Sequence, residues 1–273
     1  MTALRLADAG EAADLAAFLA RLIHYDRAAA VRLQAGGGVL AVFGRPPSFE
    51  VLAIRTARLA PAASPGPQPA TAAHGPHTGT GAAPAAGLDR TVSAGDLLEG
   101  IDESTDSLTL PAAVTGPPWA GVLPPRGGWQ QVPGLPAPQA LGRTVALAVA
   151  EFRARDEALP PERRTRAERD RIGREIWSRT LGDTHLPLRA AHAAQSLGFL
   201  RPVRAEAQAG VYGPASGGHG SVSGTGSAGS GAALAEPPTL TLLAAGGWLR
   251  LRTPYGSVAV RTSGPSALSV TPA

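Results

Sequence analysis

Leu15, Phe18, Leu19, Leu22 and Ile23 recur at spacings of three, one, three and one, which places them on one face and predicts a helix over Asp14 to Ile23. Three runs of strand character follow, Ala30 to Gln34, Val39 to Phe43 and Phe49 to Thr56. They are separated by Gly36-Gly37-Gly38 and by Gly44-Arg45-Pro46-Pro47. In the third run Val51, Ala53 and Arg55 point one way and Leu52, Ile54 and Thr56 the other, and one of these faces is expected to be core. Leu88 to Val92 then reads as a short strand and Ala94 to Ile101 as a short helix, with Ser93 as N-cap and Asp96 near the positive end of the dipole. Leu141, Val145, Ala148, Val149 and Phe152 predict a helix over Gln139 to Leu159, closed by Pro160-Pro161. Ile172, Ile176, Trp177 and Leu181 predict a second over Glu162 to Leu181. A third, Pro187 to Leu197, begins at a tolerated proline and stops at Gly198, a left-handed cap followed by Phe199. Alternation at Thr239 to Leu243, Trp248 to Thr253 and Val258 to Thr262 predicts a hairpin or meander.

These elements predict an α+β fold, antiparallel hairpins or one sheet packed against about four main helices, with two long disordered insertions. The chain divides into a helix plus antiparallel strands at 1–59, a linker at 60–87, a short strand and helix followed by a Pro-rich irregular segment at 88–138, and a three-helix block with a following strand at 139–209. A Gly/Ser linker at 210–237, a C-terminal hairpin at 238–263 and a tail at 264–273 complete it. The linker at 60–87 carries no bulky apolar side chain that burial could hold against chain entropy, and the one at 210–237 has the composition of a flexible coil. The two hairpins are alike in spelling. Ala35-Gly36-Gly37 leads through a strand and a proline turn to Leu52-Ala53-Ile54-Arg55-Thr56, and Ala245-Gly246-Gly247 leads in the same way to Val258-Ala259-Val260-Arg261-Thr262. Duplication is one reading of this, and biased composition acting on common hairpin chemistry is the other.

Composition narrows the chemistry. There is no cysteine, which excludes disulfides, thiolate nucleophiles, iron–sulfur clusters and sulfur-ligated zinc. There is also no lysine and no asparagine, so all 25 basic residues are arginine. Both missing residues have A-rich codons, so a genome of high G+C content accounts for the arginine preference without invoking bidentate recognition. A net charge of +4 over 273 residues is weak evidence for a polyanionic partner. No apolar stretch reaches the roughly 18 residues of a membrane span, and Asp8, Glu11 and Asp14 interrupt the N-terminal apolar run, so a cytoplasmic location with no membrane partner is expected.

Gly224-Thr225-Gly226-Ser227-Ala228-Gly229 fits the dinucleotide pattern letter for letter, but it lies in a Gly/Ser tract without the strand and helix that make the pattern work. Of six histidines, His74, His77 and His219 sit in the linkers, where nothing preorganises a ligand set. His24 is expected to meet the C-terminal dipole of the first helix, and Asp26 and Arg27 to form a local ion pair. Asp102, Glu103 and Asp106 lack calcium-loop spacing and read as solvated loop charge. No metal, cofactor or catalytic set is therefore assigned. Residues 143–204 carry 13 arginines against 8 acids, and Arg189, His192 and Gln195 recur every three residues along the third helix. Together with Arg250, Arg252 and Arg261 of the hairpin, they give the element order and candidate side chains of a winged helix that reads nucleic acid. Against that stand Asp183 near the supposed DNA face, the linker before the supposed wing, and the acids of the second helix, which suit intrahelical pairs. Trp119 and Trp129, in Pro-rich loops, are candidates for contact with a protein partner, or else they cap the core.

Several segments, Asp26 to Leu33, Phe43 to Pro47, Leu186 to Leu200 and Gly247 to Arg261, resemble hypothetical proteins of high-G+C actinobacteria. The resemblance implies a bacterial cytoplasmic setting and carries no activity or site. The leading expectation is a non-enzymatic intracellular binding or regulatory protein with a protein partner. The alternatives are a winged-helix-like DNA binder using 187–197 and 248–262, and an enzyme whose site follows no familiar pattern.

Overall fold

The computed structural model describes residues 3–61, 87–117, 119, 122–201 and 240–262. Nearly all of the first expected insertion, all of the second, the dinucleotide-like glycines, His74, His77, His219 and the tail lie outside the described residues. The chain order is β1 (Ala3–Arg5), α1 (Ala9–Tyr25), β2 (Ala30–Gly36), β3 (Val39–Gly44), β4 (Leu52–Arg58), β5 (Asp89–Ser93), α2 (Ala94–Glu99), β6 (Ile101–Asp102), β7 (Ser107–Thr109) and β8 (Gln130–Val132). It continues with α3 (Pro138–Glu157), α4 (Arg166–Trp177), α5 (Leu188–Ser196), β9 (Thr241–Ala245), β10 (Trp248–Thr253) and β11 (Gly256–Arg261). The fold is α+β.

Eight strands form one antiparallel sheet in the order β5-β2-β3-β4-β11-β10-β9-β8, and β1, β7 and β6 form a small second one. The two hairpins share the large sheet through β4 and β11, where Leu52 lies opposite Ala259, Ala53 opposite Val258 and Ile54 opposite Ser257. On one side lie the helices: α1 packs against β4, and α5 against β11 and α3. Leu15, Phe18, Leu19 and Leu22 of α1 are buried there with Leu33, Leu40 and Val42, beside Leu249 and Leu251 of β10 and Val260 of β11. The opposite side is not solvent, because Phe43, Leu52, Ile54, Trp248 and Ala259 form a second cluster under Trp119, Leu123 and Trp129. The expectation of one core face on the third strand is therefore corrected: both faces of β4 are covered, one by helices and the other by the Pro-rich segment.

The sheet repeats itself about the β4·β11 seam. Val39 pairs with Arg58 as Trp248 pairs with Arg261, and Gly36 with Val39 as Ala245 with Trp248. Both tight turns have left-handed glycines, Gly37 and Gly38 at φ 58° and 74°, Gly246 and Gly247 at 50° and 74°, which suits the twist of a two-residue hairpin. Leu33, Leu40, Val42 and Ala57 occupy the places of Leu242, Leu249, Leu251 and Val260, all on the helix side. Spelling alone aligns Arg55 with Arg261. The register aligns Arg58 with it instead, because the connection between β3 and β4 is longer than the Pro254-Tyr255 turn.

Helix starts follow their caps. The carboxylate of Asp8 accepts from the Glu11 N–H at 2.9 Å, so α1 begins before the periodic apolar run. Ser93 caps α2 as its sequence indicates. The second helix of the block does not begin at Glu162: residues Pro161–Arg163 make a single 3₁₀ turn, and Thr165 caps α4 by accepting from the Glu168 N–H. After α5, Phe199 and Leu200 form a turn behind Gly198 (φ 75°) and Phe199 stacks on Phe18 at 5.5 Å; residues 202–209, which hold most of the strand expected there, lie outside the described residues.

Candidate interaction cleft at the seam

A cleft of about 760 Å³ opens on the outer side of the sheet, where the two halves meet. Its floor is Val51 and Leu52 from the first half with Trp248 and Ala259 from the second, and Pro46, Pro47, Gly116, Pro117 and Val122 line its walls. Three local features build it. After α1, the Asp26 carboxylate accepts from the Ala28 N–H at 3.0 Å and the Asp26 carbonyl from Ala29, which turns the chain sharply into β2. This replaces the ion pair expected between Asp26 and Arg27. Between β3 and β4, the Phe49 ring is buried against Tyr25 and His192, and Glu50 takes a left-handed φ of 51°, so Arg45 and Glu50 stand exposed at the mouth. In the third wall, a Cβ on Gly116 would lie 2.4 Å from the Thr91 methyl group, so any other residue here would have to displace the Thr91 side chain of β5.

The charged groups of the cleft are Asp26, Arg45, Glu50 and Arg261, and Thr115 adds a hydroxyl. The Arg261 guanidinium lies over the Trp248 ring at 5.2 Å. Next to Trp248 on the same strand, Arg250 donates from Nε to the Ser257 hydroxyl at 2.8 Å and lies 5.8 Å from the Trp129 ring. Burial, with a smaller contribution from neighbouring Arg252, pushes the Arg250 pKa down. Among the described residues, no carboxylate comes within 4.0 Å of Arg45, Arg250, Arg252 or Arg261.

The six residues considered for nucleic-acid contact are not brought together. Trp248, Arg250, Arg252 and Arg261 share the outer face, whereas Leu249, Leu251 and Val260 point to the helix side where α5 packs. On α5, Arg189 is half-buried with Nε 3.9 Å from Glu50, and Gln195 is exposed. His192 is stacked on Trp177 at 4.3 Å and held edge-on to Phe49 at 5.1 Å, and burial pushes its pKa down. Trp119 is 6% exposed and lies within the outer cluster, so it caps that core; Trp129 is half-buried, and its indole N–H donates to the Pro125 carbonyl at 3.1 Å. Several arginines of the three-helix block are matched within it, among them Arg169 to Asp156, Arg155 to Glu175 and Arg171 to Glu168, each at 2.7 Å. Asp102 accepts from Ser104 and Thr105, which holds its pKa down and closes the turn between β6 and β7. His24 packs edge-on to Tyr25 in the last turn of α1. Among the described residues, there is no group of three or more metal-ligating side chains, and no helix is long and apolar enough to cross a membrane.

Sequence reasoning missed the cleft because its walls come from four separated stretches, and the neighbours Leu52 and Ala259 are joined only by strand register. The spelling likeness of the two hairpins was the one available signal that they meet. Comparison with known families divides the chain at nearly the same place. The chain belongs to the family described as a domain of unknown function, DUF8185, whose model matches residues 124–265. Residues 1–121 match a second, also described as a domain of unknown function, DUF8010. No curated protein and no solved structure matches the chain.

Proposed function

We propose that the chain is a non-enzymatic binding or regulatory protein of the bacterial cytoplasm, and that the seam cleft takes an extended segment of a partner protein. The observation that carries this reading is that both halves contribute to one apolar floor, Val51 and Leu52 from one side, Trp248 and Ala259 from the other. Ligand sites favour such junctions, and a concave apolar surface with a few polar groups suits recognition. The exposed Arg45, Glu50 and Arg261 give the cleft charges of both signs, which would orient a segment in it. Pro46, Pro47 and Pro117 stiffen the walls, so little ordering entropy opposes binding there. A random dodecapeptide display library panned against the full chain tests the reading. Binders should be recovered, and Ala28→Trp, which crowds the cleft from an exposed position, should weaken them by about tenfold or more with the fold intact. Failure to recover any binder, or indifference to Ala28→Trp, contradicts it.

A further inference from the structure

The face that borders the cleft is short of negative charge. On β10, side chains alternate so that Trp248, Arg250 and Arg252 share the outer side, and the register sets Arg261 opposite Trp248 and Ser257 opposite Arg252. These arginines form a row that begins at the cleft and runs along the sheet. Several arginines of the other strands are paired: Arg32 to Asp89 at 2.7 Å, Arg55 to Glu11 at 2.9 Å and Arg58 to Glu11 at 2.8 Å. Arg250 differs from these. It is substantially withdrawn from water between Ser257 and Trp129, with Arg252 beside it and no carboxylate in reach among the described residues. Desolvating a cation without a counter-charge is unfavourable, and a carboxylate brought by a partner would relieve it through a charge-assisted, two-pronged hydrogen bond.

We infer that the segment bound at the seam is acidic, with Asp or Glu at alternate positions seated on Arg261, Arg250 and Arg252. The inference rests on the cleft reading above. The spacing fits, since alternate residues of a strand lie about 6.6 Å apart and so do same-side residues of an extended peptide laid along it. A single-stranded nucleic acid suits the face less well. Trp119 and Trp248 are 6% and 7% exposed, so their rings are committed to the core and are not platforms for bases.

The composition of the recovered dodecapeptides tests this separately from their existence. Asp and Glu should be enriched severalfold over the starting library and fall at alternate positions. A synthetic peptide of the consensus should lose about tenfold in affinity to the chain carrying Arg250→Gln and Arg252→Gln, and a similar factor to Arg261→Gln. Arg250→Lys, which keeps the charge and loses the planar fork, should retain part of the binding. Circular dichroism on each variant confirms that the fold is kept, and Arg261→Gln, at an exposed position, remains informative if the double variant does not fold. Recovered peptides with no acidic excess, or acidic ones indifferent to the arginine variants, overturn the inference while leaving the cleft reading in place. An oligothymidylate that binds more tightly than the acidic peptide, and competes with it, overturns it in favour of nucleic acid.

Discussion

Arg55 shows how a charged residue on a strand becomes interior. It lies on the helix side of β4, 5% exposed, with Nη2 donating to Glu11 at 2.9 Å and Asp14 at 3.4 Å, and Nη1 to the Tyr255 carbonyl at 2.9 Å. Arg201 also pairs with Asp14 and stacks on Tyr255, so the cluster ties α1 to the second half. Removing one partner of a buried pair strands the others, and Arg55→Ala should lower stability by about 3–5 kcal/mol. Arg58→Ala, with a side chain 67% exposed, should cost about 1 kcal/mol or less. Urea denaturation of the two variants measures the contrast. His192 sets a pH dependence. Burial pushes its pKa below the ordinary histidine value, so the folded state binds fewer protons than the unfolded one. Stability from this residue is present above about pH 6.5 and falls as the pH drops below it. Carboxylates whose pKa is lowered by arginine, such as Asp89 and Glu151, act in a more acidic window. His192→Gln should flatten the slope of stability between about pH 5 and 7, and an unchanged slope would assign it to another group.

Elements with an apolar stripe were legible in the sequence, and those defined by register were not. The spacing of Leu15, Phe18, Leu19 and Leu22 gave α1, and Gly198 gave the end of α5. β8 escaped notice because Gln130-Gln131-Val132 has no alternation of its own and is a strand only because it lies against β9. The burial of Arg55 escaped for a related reason: its carboxylates come from α1 and its carbonyl partner from residue 255. The connection from α4 to α5 depends on Gly182, at φ 54°, where a Cβ would lie 2.5 Å from the Gly134 carbonyl oxygen. That neighbour is backbone and has little freedom to yield. Gly182→Ala should therefore destabilise the chain by about 1–3 kcal/mol, more than the left-handed conformation alone would cost. A thermal midpoint equal to that of the unaltered chain would contradict the close approach.

At the scale of the whole molecule, the two family matches end and begin within the segment that covers the outer sheet face, yet the sheet runs through both without interruption. The first half alone would present β4 as an open edge carrying Leu52, Ala53 and Ile54. Residues 1–121 expressed alone should accordingly self-associate, visible as an early-eluting species in gel filtration, while the full chain does not. The charge balance of +4 pointed nowhere in particular because it sums over the whole chain, whereas Arg250, Arg252 and Arg261 stand together on one sheet face with no carboxylate within 4.0 Å among the described residues. The cleft at the seam joins these observations, and hydrogen–deuterium exchange of the full chain with and without a recovered peptide tests it most directly. Slowed exchange at 26–30 and 45–52 together with 248–261 is the predicted result. Protection confined to α3 and α4, or to one half alone, would contradict it.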